Sequence, residues 1–426
     1  MQKCVKKIWM KKTVWTPINS WEGSMRRFFA LLVSLACLFG FTLPARAQSV
    51  VDISGVGVTY TFGDQVTFSA KIQTQSSIQA AYLLFQVQGD QNTRTIPLTM
   101  PSTGATRYSY PLQSGLLRPF SRISFWYHLV LAGAATFDSP HYFFQYDDNR
   151  YPWQTVGSNG LSLHWYAGDV SFGQAALDAA RTGYQAIQNL VPVPAGDPIN
   201  IYIYASSADV QDTLNLGGSA WVSGHANPDL GVVLVSIAPG DNQSMEMQRQ
   251  IPHELAHVLL YRLTGSAYAN LPNWLTEGIA SQVEGYPNAD YTQVLTASTK
   301  NKTLLPISDL CGPFPADASG AILAYAESDS FINYIHKTYG TSDLQALVKS
   351  YSNGLSCDQG VSHVLGLPLS QLDLQWRQSA LGEKVTGIAF QTLLPYLVFL
   401  ALMLLIPAWR LGVNKKKEQN DAARPQ

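Results

Sequence analysis

His253-Glu254-Leu255-Ala256-His257, flanked by Ile251 and by Val258-Leu259-Leu260, is the stretch on which the reading of this chain turns. Its apolar residues recur at helical spacing, so the segment reads as a helix with one buried side. Residues four apart on a helix project from one face about 5–6 Å apart, which lets both imidazoles reach one tetrahedral zinc. Glu254, beside the first histidine, is placed to take a proton from a water molecule at that metal. The alternative is that two of the chain's 8 histidines fall at this spacing by chance on a core helix. A third donor decides between the two, because a catalytic zinc takes three protein ligands and keeps a fourth position open.

Asn273-Trp274-Leu275-Thr276-Glu277-Gly278-Ile279-Ala280-Ser281-Gln282-Val283-Glu284 supplies that donor. The periodicity predicts a second helix carrying Glu277, and the 19 residues between it and His257 suffice for a helix end, a loop and a return. Here the sequence resembles the gluzincin zinc metallopeptidases of the peptidase MA type. The likeness is closest to the aminopeptidase N-like branch, whose zinc-binding glutamate sits in a Trp-Leu-x-Glu-Gly-x-Ala context. The resemblance covers the two motif helices firmly and the rest of residues 160–382 loosely. It makes His253, His257 and Glu277 the zinc ligands and Glu254 the catalytic base. Glu284 matches that family's second carboxylate: seven residues past Glu277 is two helical turns, from where it could accept the distal N–H of a ligating histidine. A solvated glutamate at a helix end is the competing reading of it.

Ala324-Tyr325-Ala326-Glu327-Ser328-Asp329-Ser330-Phe331 looks like the family's later segment, in which a tyrosine opens a helix and donates to the tetrahedral oxyanion. Tyr325 takes that role by resemblance. A packing role competes, since the chain has 21 tyrosines and Tyr334 and Tyr339 lie nearby. The chain departs from the family at one point. The aminopeptidases carry a glutamate in a Gly-x-Met-Glu-Asn motif that anchors the substrate's free amine, and no glutamate occurs between Asp197 and Ser244. Gly217-Gly218-Ser219-Ala220-Trp221-Val222 stands where an edge strand could bind an extended peptide by backbone pairing. His225, His336 and His363 have no partner at ligand spacing.

The chain has 426 residues, enough for two or three domains. Arg26-Arg27, the apolar run from Phe28 to Phe39 and Ala45-Arg46-Ala47 together read as a secretory signal peptide within a leader of residues 1–47, with Met25 as a natural start. Gly387 to Trp409 is 23 residues without a charge, enough to cross a hydrocarbon core about 30 Å thick. Arg410 and Lys415-Lys416-Lys417 follow. That order predicts a single-pass transmembrane helix over 386–411, a cytoplasmic tail over 412–426 and an extracytoplasmic body at the cell membrane. A buried helix of a soluble protein is the competing reading of the apolar run.

From Val50 to about Tyr146 short runs alternate apolar and polar residues, with turn residues at Gly63-Asp64 and Gly89-Asp90. Gln65 to Ile72 and Ala81 to Val87 are the clearest strands, and Val56 to Tyr60 is weaker. The pattern predicts an immunoglobulin-like β-sandwich over 48–150, in which Phe125-Trp126-Tyr127 are packing residues. Asp147-Asp148-Asn149-Arg150-Tyr151-Pro152 is polar and turn-rich and marks a boundary. A zinc peptidase domain over 151–385 follows, with helical spacing at Ala175–Leu190, strands at Ile199–Tyr204 and Gly231–Val235, and helices after Met245. The expected class is α+β.

A net charge of −1 with 13% charged residues, and no basic stripe outside the termini, argues against a nucleic-acid partner. Of 4 cysteines, Cys4 and Cys37 fall in the leader, which leaves Cys311 and Cys357 to pair in an exported body. The expected activity is zinc-dependent peptide-bond hydrolysis outside the cytoplasm, on peptide or protein substrates. The rival is an inactive surface binding or adhesion module with a structural zinc site, which would need a fourth protein ligand that the sequence does not offer. Oligomeric state has no signature here.

Overall fold

Alternation along the N-terminal strands sends every second side chain into one shared interior. The computed structural model describes residues 51–112, 117–216, 224–383 and 393–403. β1 (Val51–Thr61), β2 (Gln65–Thr74), β3 (Ile78–Val87), β4 (Arg94–Leu98), β5 (Ala105–Pro111), β6 (Arg122–Leu131), β7 (Thr136–Asp138) and β8 (Tyr142–Gln145) form this region. They make two antiparallel sheets, one in the order β1-β2-β5 and one in the order β4-β3-β6-β7 with β8 also paired to β6. Phe68 and Ile72 of β2 meet Leu83 and Phe85 of β3 and Phe125 and Tyr127 of β6 in one apolar cluster. Trp126, one residue out of phase, points to the other face and stacks on His141 at 4.2 Å between centroids. Gly63 holds the β1–β2 turn with φ 76°, a left-handed conformation that glycine adopts without cost.

The second region is built on a mixed sheet of β9 (Gln154–Ser158), β10 (Leu161–Trp165), β11 (Ile199–Tyr204), β12 (Gly224–Asn227) and β13 (Val232–Ser236). Their order is β12-β13-β11-β10-β9, with β10, β11 and β13 parallel to one another and an antiparallel strand at each edge. Burial of Ile199, Ile201, Val233 and Val235 to 2% exposure or less explains why these runs are almost continuously apolar. α1 (Val170–Leu190) is the crossover from β10 to β11, capped by the Asp169 carboxylate, which accepts from Phe172 N–H. After α2 (Ser207–Leu216) the helices follow as α3 (Gln243–Thr264), α4 (Asn273–Gln282), α5 (Ala289–Asn301), α6 (Ala318–Tyr339), α7 (Thr341–Ser352), α8 (Cys357–Leu365) and α9 (Leu369–Ser379). One apolar core runs from this sheet through α1, α3 and α4 to Trp376 of α9.

The two regions meet at a built junction. Phe120 packs on Tyr202 at 4.2 Å between centroids, and Arg118 pairs with Asp229 at 2.7 Å and with Asn227 at 3.2 Å. Asp148 is 1% exposed and receives Arg150 Nη2 at 2.7 Å and Tyr204 Oη at 3.0 Å, so its charge is paired rather than stranded.

Cys311 and Cys357 are joined in a disulfide. Trp274 Nε1–H of α4 points at Cys357 Sγ, 3.3 Å away, so the bridge backs the helix that carries Glu277. The leader of residues 1–47, the cytoplasmic tail of 412–426 and the Gly217–Val222 strand lie outside the described residues; β12, which begins at Gly224, is an edge strand of the mixed sheet. Of the apolar segment 386–411, residues 393–403 are helical and exposed; among the described residues no helix is long and apolar enough to cross a membrane.

Candidate metal centre

Ile251, Leu255, Val258 and Leu259 of α3 are fully buried and fix how that helix sits on the core. A 3-10 turn at Gly265–Asn270 returns the chain, and α4 docks through Trp274, Leu275 and Ile279, each also fully buried. That docking aims Glu277 at the histidine pair. Its Oε2 lies 3.3 Å from His253 Nε2 and 3.6 Å from His257 Nε2, and the three side chains are 16%, 11% and 19% exposed. One donor atom from each lies within 4.8 Å of the others. Ligands about 2 Å from a tetrahedral ion stand roughly 3.3 Å apart, so the donor set fits a single zinc-sized cation.

The distal nitrogens are engaged as well. His253 Nδ1 is 3.0 Å from Glu284 Oε1, and His257 Nδ1 is 2.9 Å from Tyr268 Oη. If each Nδ1–H donates outward, both Nε2 lone pairs are left free toward Glu277. Burial opposes a charge on His253, but the Glu277 and Glu284 carboxylates outweigh it and raise its pKa to about 10. Burial also opposes a charge on Glu277, and the two histidines overcome it and hold that carboxylate far below its usual range. A bound cation reverses the histidine preference, since ligation needs the neutral ring. For Glu254 burial wins over the nearby histidines and pushes the carboxyl up, the direction a general base working near neutrality needs.

Two expectations need correction. Glu284 is not on a helix: α4 stops at Gln282, and Glu284 reaches His253 from the turn beyond. It is 8% exposed, so it is no solvated helix-end glutamate. Tyr325 does not open a helix either. α6 begins at Ala318 under an Asp317 cap, two turns earlier, and Tyr325 sits inside it with its ring centroid 6.3 Å from that of His253 and Phe314 packed edge-on at 5.2 Å. Burial, with the charges of Glu277 and Glu254, raises the Tyr325 pKa, so the phenol keeps its proton. His336 meets Thr341 Oγ1 at 3.0 Å and stands apart from the centre. Tyr268 had no signal in the sequence, because a tyrosine in a short turn matches no motif.

Residues 179–382 match the family model described as the Peptidase MA superfamily. That span contains both motif helices, so the family model and the motif reading fall on the same residues. Among solved structures, the chain is similar to an M1 zinc metallopeptidase from Deinococcus radiodurans, at 13% identity over 78% of this chain and 95% of that one, with a TM-score of 0.35. It is also similar to an aminopeptidase N family protein from Idiomarina loihiensis, at 10% identity over 79% of this chain and 76% of that one, with a TM-score of 0.37. A family 56 carbohydrate-binding module that binds β-1,3-glucan aligns at 10% identity with 22% of this chain and 98% of its own, with a TM-score of 0.16. No curated protein matches.

Proposed function

We propose that this chain is a zinc-dependent peptidase that cleaves peptide or protein substrates outside the cytoplasm. The observation that carries the reading is the convergence of His253 Nε2 and His257 Nε2 on Glu277 Oε2, with Glu254 beside them on α3. His253, His257 and Glu277 would hold zinc, which when bound supplies a Lewis acid to polarise the scissile carbonyl. Glu254 takes the proton of the attacking water and returns it to the leaving amine, helped by a raised pKa. Tyr325, on the His253 side of the centre, donates its phenolic hydrogen to the oxyanion. Glu284 and Tyr268 orient the two histidines. The absence of a glutamate from 198 to 243 removes the amine anchor of the resembling aminopeptidases and favours an endopeptidase or a narrow processing enzyme.

In this reading residues 1–47 are a cleaved leader, an immunoglobulin-like sandwich over 48–150 precedes the peptidase domain over 151–385, and 386–411 is a single membrane anchor with residues 412–426 inside. Metal analysis of the purified full chain together with a peptide-library cleavage assay tests the activity; the expected result is one zinc per chain and cleavage abolished by a chelator. Zinc without cleavage of any peptide would instead favour the binding module with a structural site. A tag after Gln426 should resist protease added to intact cells, and its digestion would refute the topology.

A further inference from the structure

We propose that Pro252 is a positioning residue for the metal centre: it leaves the Gln248 carbonyl without a helical donor, and that carbonyl seats the turn that delivers Glu284 to His253. The proposal rests on the zinc-peptidase reading and assigns a task to a residue that neither binds metal nor touches substrate.

A proline within a helix has no N–H for the carbonyl four residues earlier, and its ring crowds that carbonyl outward. Pro252 lies inside α3, immediately before His253. The freed acceptor is Gln248 O, and it is not left empty. Gly285 N–H donates to it across the gap between helices at 2.8 Å. Gly285 directly follows Glu284, whose own N–H turns back to Ser281 O at 3.2 Å. The backbone of the Glu284–Gly285 turn is thus tied on one side to the end of α4 and on the other to α3, one turn before His253.

That double attachment explains how a residue past the end of a helix reaches a histidine with a 3.0 Å contact while nearly buried. Arg249 Nε stands 4.0 Å from the other carboxylate oxygen and adds only a loose constraint. The defect in α3 and the aim of Glu284 are therefore linked by one backbone hydrogen bond. An alanine at 252 would bring back an N–H that competes for Gln248 O, and Gly285 would lose its acceptor.

The competing account is packing. A Cβ on Gly183 of α1 would come within 2.6 Å of Pro252 Cβ, so α1 and α3 cross closely at the proline. A packing role predicts a shift in stability and no change at the metal.

The test is zinc affinity of the purified full chain, measured by competition with a chromophoric chelator beside a thermal melt of the metal-free protein. Pro252→Ala should weaken zinc roughly 10- to 100-fold, the usual cost of losing a partner behind a ligand, although alanine is by far the better helix former. Gly285→Pro removes the donor from the opposite side, leaves the sequence of α3 unchanged and should weaken zinc to a similar extent, with Gly285→Ala, which keeps the N–H and brings a Cβ to 3.5 Å from Gln248, as the control for crowding. In a Glu284→Gln background Pro252→Ala should cost less than about twofold more, because the group it positions is already impaired. Unchanged zinc affinity in a folded Pro252→Ala chain overturns the proposal, as does a full additional loss in the Glu284→Gln background. A wild-type chain that binds no zinc would overturn the peptidase reading and this proposal together, whereas tight wild-type binding with an indifferent Pro252→Ala overturns the proposal alone.

Discussion

Tyr268 Oη lies 2.9 Å from His257 Nδ1, so the second histidine of the motif is held by a phenol while the first is held by a carboxylate. Burial raises the Tyr268 pKa, with Glu277 and Glu254 adding to the effect, and the phenol stays neutral. It can then accept Nδ1–H of a neutral His257 and fix the tautomer that offers Nε2. Tyr268→Phe should keep the fold and weaken zinc binding roughly tenfold, the lower end of the effect expected of a partner behind a ligand. Equal chelator competition by the variant and the wild type would show that Tyr268 only packs.

Glu254 separates an enzyme from a binding module. Glu254→Gln keeps the size and much of the hydrogen bonding and removes the base, so zinc content should hold while turnover falls by about 10²–10⁴-fold. Peptide cleavage beside metal analysis on the same preparation checks both halves. Full activity in the variant would remove Glu254 from the mechanism.

The residues legible in the sequence are those whose placement follows from helical periodicity alone. His253, Glu254 and His257 share a helix, and the buried run of Trp274, Leu275 and Ile279 implied the second helix that presents Glu277. Glu284 was legible as a residue but not in its place. Extending α4 through it ignored Gly285 and Pro287, which end helical patterns, and the true route depends on a carbonyl that Pro252 leaves free. Tyr268 and the Gln248 to Gly285 bond exist only because two segments meet in space, and no local pattern records that. In the sheets, long alternating runs such as β2 and β3 could be read, whereas the four-residue β12 is too short to carry a period.

The disulfide is expected to stabilise without taking part in chemistry. Closing a loop with a sequence separation of 46 residues contributes roughly 4 kcal/mol in the chain-entropy model. Cys311→Ser with Cys357→Ser should lower the thermal midpoint and leave zinc stoichiometry unchanged at temperatures where the variant is folded. Loss of zinc from the folded variant would show that the bridge holds α4 in place, through the contact of Trp274 with Cys357.

Glu327 gives the stability a defined pH dependence. It is fully buried on α6; its Oε1 accepts Leu305 N–H at 2.9 Å, while Oε2 has no hydrogen-bond partner among the described residues. Burial raises its pKa to about 8, against the lowering effect of that N–H and of Arg377, whose guanidinium donates to the Leu305 carbonyl. The folded chain therefore holds a proton on Glu327 that the unfolded chain, with a carboxyl pKa near about 4.3, releases. Because the folded state binds more protons between these values, stability should fall as pH rises from about 4.3 to about 8 and level off outside that window. Glu327→Gln keeps an acceptor for Leu305 and cannot ionise. Its thermal midpoint relative to wild type should climb steadily from pH 5 to pH 8, in melts of the two proteins in matched buffers. A difference that stays constant across that range would mean that Glu327 does not titrate there.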